Sequence, residues 1–300
     1  MKTATIALVT AAAARDLDED LLPLERALRL HGAEPHIVAW DDAAVDWSQF
    51  DIALLRSTWD YTMRLAEFLA WARRTARTTA LLNPLPVIGW NTDKHYLAEL
   101  ATAAVPVVPS MFVETGHNAE AALADFLRAH AAAEFVVKPA IGAGSRDAQR
   151  YGRDDSAAAT AHAQRLLDAG RGVLLQPYLA RVDEHGETAL IFFDGVFSHS
   201  IRKGPLLRRG EGATRALFAT EHITARAATT EERRVAEQTL GAIPFPQPLL
   251  YARVDLIHDA DGTARVLELE LTEPSLFFAH ADGSAERFAA AIVRRTLTPG

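Results

Sequence analysis

Along the first third of the chain the apolar residues switch repeatedly between two periods. TATIALVT (3–10) is a near-continuous apolar run and reads as a buried strand. DLDEDLLPLERALRLHG (16–32) has helical spacing, with Asp16 or Asp18 as the cap and Gly32 as the stop. EPHIVAW (34–40) and DIALLRS (51–57) read as the next strands, and an amphipathic segment at 62–77 precedes TALLN (79–83). Strand and helix in alternation imply a parallel sheet covered by helices. Proline-rich NPLPVIGW (83–90) has the look of a boundary.

The rest of the pattern is mixed. A helix is expected at 92–104, followed by VPVVPSMFV and a second helix near 118–131. FVVKPAIGAGSRDAQRY (135–151) reads as two strands around a glycine-rich turn, and a helix at 156–169 leads into the strand GVLLQPYL (172–179). ETALIFFDGVFSHSIRKG (187–204) is a hairpin turning at Asp194–Gly195. GPLLRRGEGAT (204–214), with Arg208, Arg209, Glu211 and nearby Arg215, reads as a mobile loop. A helix at 230–241, strands at 249–257 and 263–271 and a helix at 283–296 complete the chain. The fold class is α/β passing into α+β: a doubly wound front, then a body with antiparallel strands.

Bulk composition narrows the function. The 300 residues suffice for two or three subdomains. A hydrophobic content of 49% with 23% charged residues fits a folded globular protein. The net charge of −8 argues against a general nucleic-acid partner. The absence of cysteine excludes disulfides, thiolate metal sites and a cysteine nucleophile. No signal-peptide pattern opens the chain and no apolar run is long enough for a bilayer, so a cytoplasmic, non-membrane protein is expected.

The chemistry begins with RVLELELTEPSL (265–276). Period-two alternation sends Leu267, Leu269 and Leu271 to one face and Glu268 and Glu270 to the other, with Glu273 just beyond. Carboxylates this close repel at pH 7. A water-facing strand tolerates them; so does a shared divalent cation, since hard oxygen ligands hold Mg²⁺ together with substrate phosphates. IGAGSRD (141–147) is a candidate phosphate loop, with Gly142, Gly144 and Ser145 offering backbone N–H groups, although it is neither a Walker A loop nor a dinucleotide fingerprint. Lys138 sits in the apolar run FVVKPA, where a bound anion would offset its burial. Lys94 stands near a helix start that Thr92 or Asp93 could cap, and an anionic partner would account for it there as well.

The ordered set Lys94, Lys138, the glycine-rich hairpin loop, QPYL (176–179), Asp255 and Glu268/Glu270 resembles the ATP-grasp superfamily over nearly the whole chain. The resemblance implies a front domain (1–90), a central lobe (91–179) and a C-terminal lobe with the metal site (180–300), the lobes clamping ATP between antiparallel sheets. It implies that Lys94, Lys138, Gly142, Gly144 and Ser145 hold phosphates, and that Gln176, Tyr178 and Leu179 line the adenine. Glu187 would bind the ribose, with Asp183 as the fallback. Asp255, Glu268 and Glu270 would hold one or two Mg²⁺ ions, with Mn²⁺ as a substitute. Glu270 stands where the similar bacterial glutathione synthetases have asparagine, and Ala189 replaces an arginine of their pattern, which argues against glutathione synthesis. Arg202, Lys203 and Arg253 are candidates for stabilising the transferred phosphoryl group.

Superfamily members activate a carboxylate as an acyl phosphate, so an amino-acid-like substrate is expected. RSTWDY (56–61) follows a strand, where open α/β sheets bind ligands. Arg56 suits a carboxylate and Asp60 an ammonium group, with Ser57 and Tyr61 beside them; His199, Ser200, Glu273 and Ser275 are further candidates. RSTWDY, FFDGVFSHSIRKGP and LELELTEPSLF together resemble a branch of the superfamily that includes a cyclo-ligase converting O-ureido-D-serine to D-cycloserine. A ligase for another amino acid or peptide, and a non-catalytic nucleotide-binding module, remain alternatives. Relatives are often homodimers or homotetramers, an expectation by analogy alone.

Overall fold

A computed structural model of the chain describes residues 3–213 and 222–297. The front sheet contains β1 (Thr5–Thr10), β2 (Glu34–Ala39), β3 (Ile52–Ser57) and β4 (Ala80–Leu82), all parallel, in the order β2-β1-β3-β4. Helices α1 (Leu21–Leu30) and α2 (Leu65–Thr75) connect its strands. Both faces of the sheet are covered at its centre, which is why β1 and most of β3 read as near-continuous apolar runs. Ile6, Leu8, Ile52 and Leu54 face α1, while Ala7, Val9, Ala53 and Leu55 face Phe68 and Trp71 of α2.

The expected boundary at 83–90 is instead largely helical: α3 spans Leu85–Asn91, with Pro86 in its first turn, where the missing N–H costs nothing. Proline here starts a helix. Two buried asparagines fasten this segment to the last strands of the chain. Asn83 donates to Tyr251 O and Leu271 O, both at 2.9 Å, and Asn91 donates to Leu269 O at 2.7 Å.

Next come α4 (Tyr96–Thr102), β5 (Met111–Val113), α5 (Ala119–Ala129), β6 (Glu134–Pro139), β7 (Gln149–Gly152), α6 (Ser156–Asp168) and β8 (Val173–Pro177). The four strands form an antiparallel sheet in the order β5-β8-β6-β7, whose outer face packs on α5 and α6 through Phe126, Phe135, Leu166 and Leu175.

A short helix, α7 (Val182–His185), leads into the third sheet: β9 (Glu187–Phe193), β10 (Val196–Lys203), β11 (Ile223–Ala225), β12 (Tyr251–His258) and β13 (Ala264–Glu270). Its order is β11-β10-β9-β12-β13, antiparallel throughout. Helix α8 (Thr230–Gly241) opens on a capping box in which Thr229 and Glu232 satisfy each other's backbone N–H. Helix α9 (Ser284–Leu297) lies against α1, so the front sheet and the third sheet share one core around Leu24, Leu28, Ile191, Tyr251 and Phe288. No helix among the described residues is long and apolar enough to cross a membrane.

One irregularity corrects the expected alternation in β13. Asp255 pairs with Glu268, but Leu256 pairs with Val266, which leaves Leu267 as an extra residue in a bulge. Leu269 and Leu271 join the core with Val254 and Leu256. Leu267 instead packs with Val108, Val182, Ile257, Tyr178 and Leu179. The free edge of the bulge is held by the segment before β5: Val266 donates to Pro106 O at 2.8 Å and Val108 donates to Val266 O at 2.9 Å.

Candidate active site

The second and third sheets face each other across a cavity. One wall carries Val136 and Lys138 from β6 and Gln176 and Pro177 from β8; the other carries Lys203, Arg253, Ile257 and Leu267 to Glu270. Residues 142–146 close one end, and Trp59, Tyr61, Glu273 and Ser275 close another.

The glycine-rich loop is shaped before any ligand arrives. Gly144, Ser145 and Asp147 all have left-handed backbone, with φ of 60°, 58° and 58°. For the two non-glycine residues that conformation is sparsely populated and must be imposed by surroundings. The Arg171 guanidinium supplies part of that constraint, holding Asp147 at 2.5 Å. Lys94 lies in the turn before α4 and donates to Gly142 O at 2.6 Å. Its ammonium also meets Glu268 at 2.7 Å, which ties the loop to β13.

Lys138 differs from Lys94, Lys203 and Arg253. Among the described residues its ammonium makes no ion pair or hydrogen bond, and burial pushes it down to about 8. A buried cation without a partner is costly; its position on the cavity wall suits an anionic ligand.

Of the acids across the cavity, Asp255, Glu187, Glu268 and Glu270 are held by cations and Glu273 is not. Asp255 is fully buried: Arg253 binds both its oxygens at 2.9 Å, and Lys203 binds Oδ2 at 2.6 Å. Burial alone would raise the Asp255 carboxyl, but the Arg253 and Lys203 charges bring it down to about 2. Lys203 reaches Glu187 as well, at 2.8 Å. Glu270 is paired with Arg253, yet burial dominates and raises it to about 7. Glu273, raised by burial and by neighbouring Glu270 to about 8, is hydrogen-bonded by Tyr61.

This arrangement tests the expected metal trio. Among the described residues, no three acidic or histidine side chains converge as a ready metal cluster. Glu268 and Glu270 both face the cavity from one strand, and their hard oxygens fit a divalent ion that also takes phosphate oxygens. Asp255 has both oxygens engaged by Arg253 and Lys203, but among the described residues Oδ1 accepts a single bond and so keeps one lone pair for an ion.

The remaining expected residues divide. Lys94, Lys138, Gly142, Gly144, Ser145, Gln176, Tyr178, Leu179, Glu187, Lys203, Arg253, Tyr61, Glu273 and Ser275 all line the cavity. Arg56, Ser57, Asp60, His199 and Arg202 do not. Arg56 is fully buried and donates to Pro274 O at 2.9 Å, so it supports a loop instead of facing a ligand. Ser57 bonds Thr10 at 2.8 Å beneath the sheet. Asp60 accepts from Trp40 and Arg64 on the outer side of the front sheet. His199 donates to Leu276 O, and Arg202 to His185 O and Glu184 O. Asp183 is engaged by Arg150 at 3.0 Å and by Tyr178 at 2.5 Å, and the Arg150 guanidinium stacks 3.6 Å from the Tyr178 ring.

Sequence reasoning missed the apolar wall of Val136, Ile257 and Leu267. Val136 had a signal, since it lies two residues before Lys138 on the same strand face; Leu267 had none, because a bulge set its direction. Pro205, Leu206 and Leu207 also line the cavity, and Arg209 ties their loop to Asp154 and Asp155 at the start of α6. Position 214 and Arg215 of the expected loop lie outside the described residues. Trypsin cleavage after Arg208 and Arg209 is expected to slow several-fold with ATP; equal rates with and without it would show that this loop does not close over nucleotide.

Residues 6–83 match the family model for the N-terminal domain of D-cycloserine synthetase DcsG. Cycloserine biosynthesis protein DcsG of Streptomyces lavendulae is 44% identical over 295 residues, covering 97% of this chain and 98% of that protein. The crystal structure of D-cycloserine synthetase DcsG matches 97% of this chain and 99% of its own with a TM-score of 0.93. D-alanine–D-alanine ligase from Bacillus anthracis, solved with ATP, shares the fold at 15% identity and a TM-score of 0.68, over 99% of this chain and 98% of its own. The cavity between two antiparallel sheets, its lysines and its glycine-rich loop thus belong to a chain that is a member of the DcsG family of ATP-grasp ligases.

Proposed function

We propose that this chain uses ATP to activate the carboxylate of O-ureido-D-serine and closes it to D-cycloserine. The carboxylate oxygen takes the γ-phosphoryl group and ADP leaves. The oxygen-bound ureido nitrogen then attacks the acyl carbon and loses its proton as phosphate departs. Water cleaves the remaining N-carbamoyl bond, returning a proton to the ring nitrogen and releasing carbamic acid, which breaks down to CO2 and ammonia. The observation that carries the nucleotide half of this reading is Lys138, an unpaired cation beside a preformed glycine-rich loop. The amino-acid half rests on the likeness to DcsG.

The residues divide the work between them. Lys94, Lys138 and the loop at 142–145 hold the phosphates, and the wall of Val136, Ile257, Leu267, Tyr178 and Leu179 takes the adenine. Glu187 serves the ribose. Glu268 and Glu270 hold Mg²⁺, as one or two ions replaceable by Mn²⁺, and this metal supplies charge neutralisation at the phosphates. Arg253 and Lys203, oriented by Asp255, face the acyl phosphate. Glu273, with Tyr61, takes the substrate ammonium in place of the expected Asp60. On the same reading the protein acts in the cytoplasm on a small amino-acid-like molecule, as a homodimer or homotetramer.

ADP formation with O-ureido-D-serine, measured beside a panel of amino acids and dipeptides, tests this reading. Release with the ureido compound alone, and D-cycloserine as product, is expected. Release with a different acid would replace the substrate, and release with none would favour a non-catalytic nucleotide-binding module. The bound ammonium would draw Glu273, raised by burial to about 8, into its carboxylate form. Glu273→Gln is therefore expected to raise KM for the amino acid about tenfold, as when a charged hydrogen-bond partner is lost, with KM for ATP within a factor of two. A shift in KM for ATP alone would move Glu273 to the nucleotide side.

A further inference from the structure

The segment Thr272–Phe278 passes from β13 under the amino-acid end of the cavity, with Glu273 and Ser275 on its upper side. Its backbone is bound residue by residue to side chains from distant parts of the chain. Five consecutive carbonyls, from Thr272 to Leu276, each accept one side-chain donor. In order these are Tyr251 at 2.8 Å, Trp59 at 3.1 Å, Arg56 at 2.9 Å, Arg253 at 3.1 Å and His199 at 2.8 Å. Three consecutive N–H groups then converge on a single carboxylate. Asp20 Oδ2 accepts from Leu276 at 2.6 Å and Phe277 at 3.0 Å, and Oδ1 accepts from Phe278 at 2.9 Å.

Three adjacent N–H groups form a concave anion site only where the backbone turns back on itself. Phe277 makes that turn, with φ 54° and ψ 45°, a left-handed conformation unusual for an aromatic residue and held only where the surroundings over-determine it. Here the anion comes from within the chain. Asp20 is buried just before α1, and the fully buried Arg56 lies 3.8 Å from it. Asp20 therefore acts at a distance from the cavity, through the loop that it shapes.

We propose that Asp20 is a positioning residue: by fastening the N–H groups of residues 276–278 it sets where Glu273 and Ser275 stand in the amino-acid subsite. This rests on the amino-acid role given above to Glu273. Asparagine at position 20 has nearly the same shape but replaces one acceptor oxygen with an N–H₂ group, which would face an N–H donor.

The test is Asp20→Asn in the full-length enzyme, read in two ways. Hydrogen exchange of the amides at 276–278 is expected to accelerate at least tenfold, with peptides from β6 and β8 unchanged. The kinetic reading is a 10- to 100-fold fall in kcat/KM for the amino acid, roughly the cost of a misplacement near 1 Å, with KM for ATP within a factor of two. In a Glu273→Gln background the same substitution should cost far less, because it acts through that side chain. Unchanged exchange at 276–278 would overturn the proposal, as would equal losses for ATP and amino acid, or a full multiplicative loss in the double variant. If no amino acid supports turnover by the wild type, the substrate reading has failed, and the exchange measurement still decides the role of Asp20. Should Asp20→Asn not fold, His199→Leu removes the donor to Leu276 O and is expected to give a smaller shift in the same two readings; no shift in either would overturn the proposal.

Discussion

Replacing Glu268 with glutamine is expected to lower ADP formation by about a thousandfold, comparable to removing a preorganised electrostatic contact from an active site. The side chain keeps its shape and can still accept from Lys94, so the fold should survive. The charge is what disappears. That charge holds Lys94 at 2.7 Å, and Lys94 in turn holds the glycine-rich loop through Gly142 O. Burial would raise the Glu268 carboxyl, but Lys94 and Lys138 keep it below the usual range, so the carboxylate is the form the site is built around. Glutamine also loses the ability to share a divalent ion with Glu270. The expected cost in stability is about 1–3 kcal/mol, that of a hydrogen bond to a charged group. Steady-state ADP release and a urea melt separate the two effects. Turnover at the wild-type rate would remove Glu268 from the site; a collapse of the melt would make its role structural.

Asp255→Asn should show the opposite balance, with a loss of stability of about 3–5 kcal/mol. The wild-type carboxylate is fully buried between Arg253 and Lys203, and its removal leaves two cations in the core of β10 and β12 with less than a full counter-charge. The pH dependence gives a second check. The folded carboxyl lies at about 2 and the ordinary value is 3.8. A depressed folded value means the contribution is fully present above pH 3.8 and is lost as pH falls towards 2. The gap in unfolding free energy between wild type and variant is therefore expected to be widest near neutrality and to narrow in acid. A constant gap from pH 7 to pH 3 would show that packing, rather than charge, is what asparagine disturbs.

The front sheet was legible because its central strands β1 and β3 are largely apolar on both faces and each helix has its own period. The hairpin at Asp194–Gly195 was legible from two residues. That NPLPVIGW is largely helical was not legible, because proline punctuates both loops and helix starts, and only the contacts of Asn83 and Asn91 distinguish them. In the site, Lys138 was legible as a cation in an apolar strand, and Glu268 and Glu270 as neighbours on one face. Arg56 and Asp60 were not. Their types suit a zwitterion, but position in a motif does not reveal whether a guanidinium faces a ligand or a carbonyl 218 residues away. Long-range partners of that kind are decided by packing, which one sequence does not display.

The bulge at Leu267 has a consequence for how this strand tolerates change. It lets a single strand serve two compartments, an apolar one beside Tyr178 and a charged one beside Lys94. What maintains that division is a residue count. Another apolar side chain at position 267 leaves the reading frame of the strand intact. Deleting the residue would restore strict alternation with Glu268 and Glu270 still on the cavity side and Leu269 and Leu271 still in the core. What would be lost is Leu267 from the apolar wall and the bulge edge held by Pro106 and Val108. A gap at 267 should therefore weaken the nucleotide wall while leaving the acids in place, whereas a gap at 269 would turn Glu270 into the core and should abolish function.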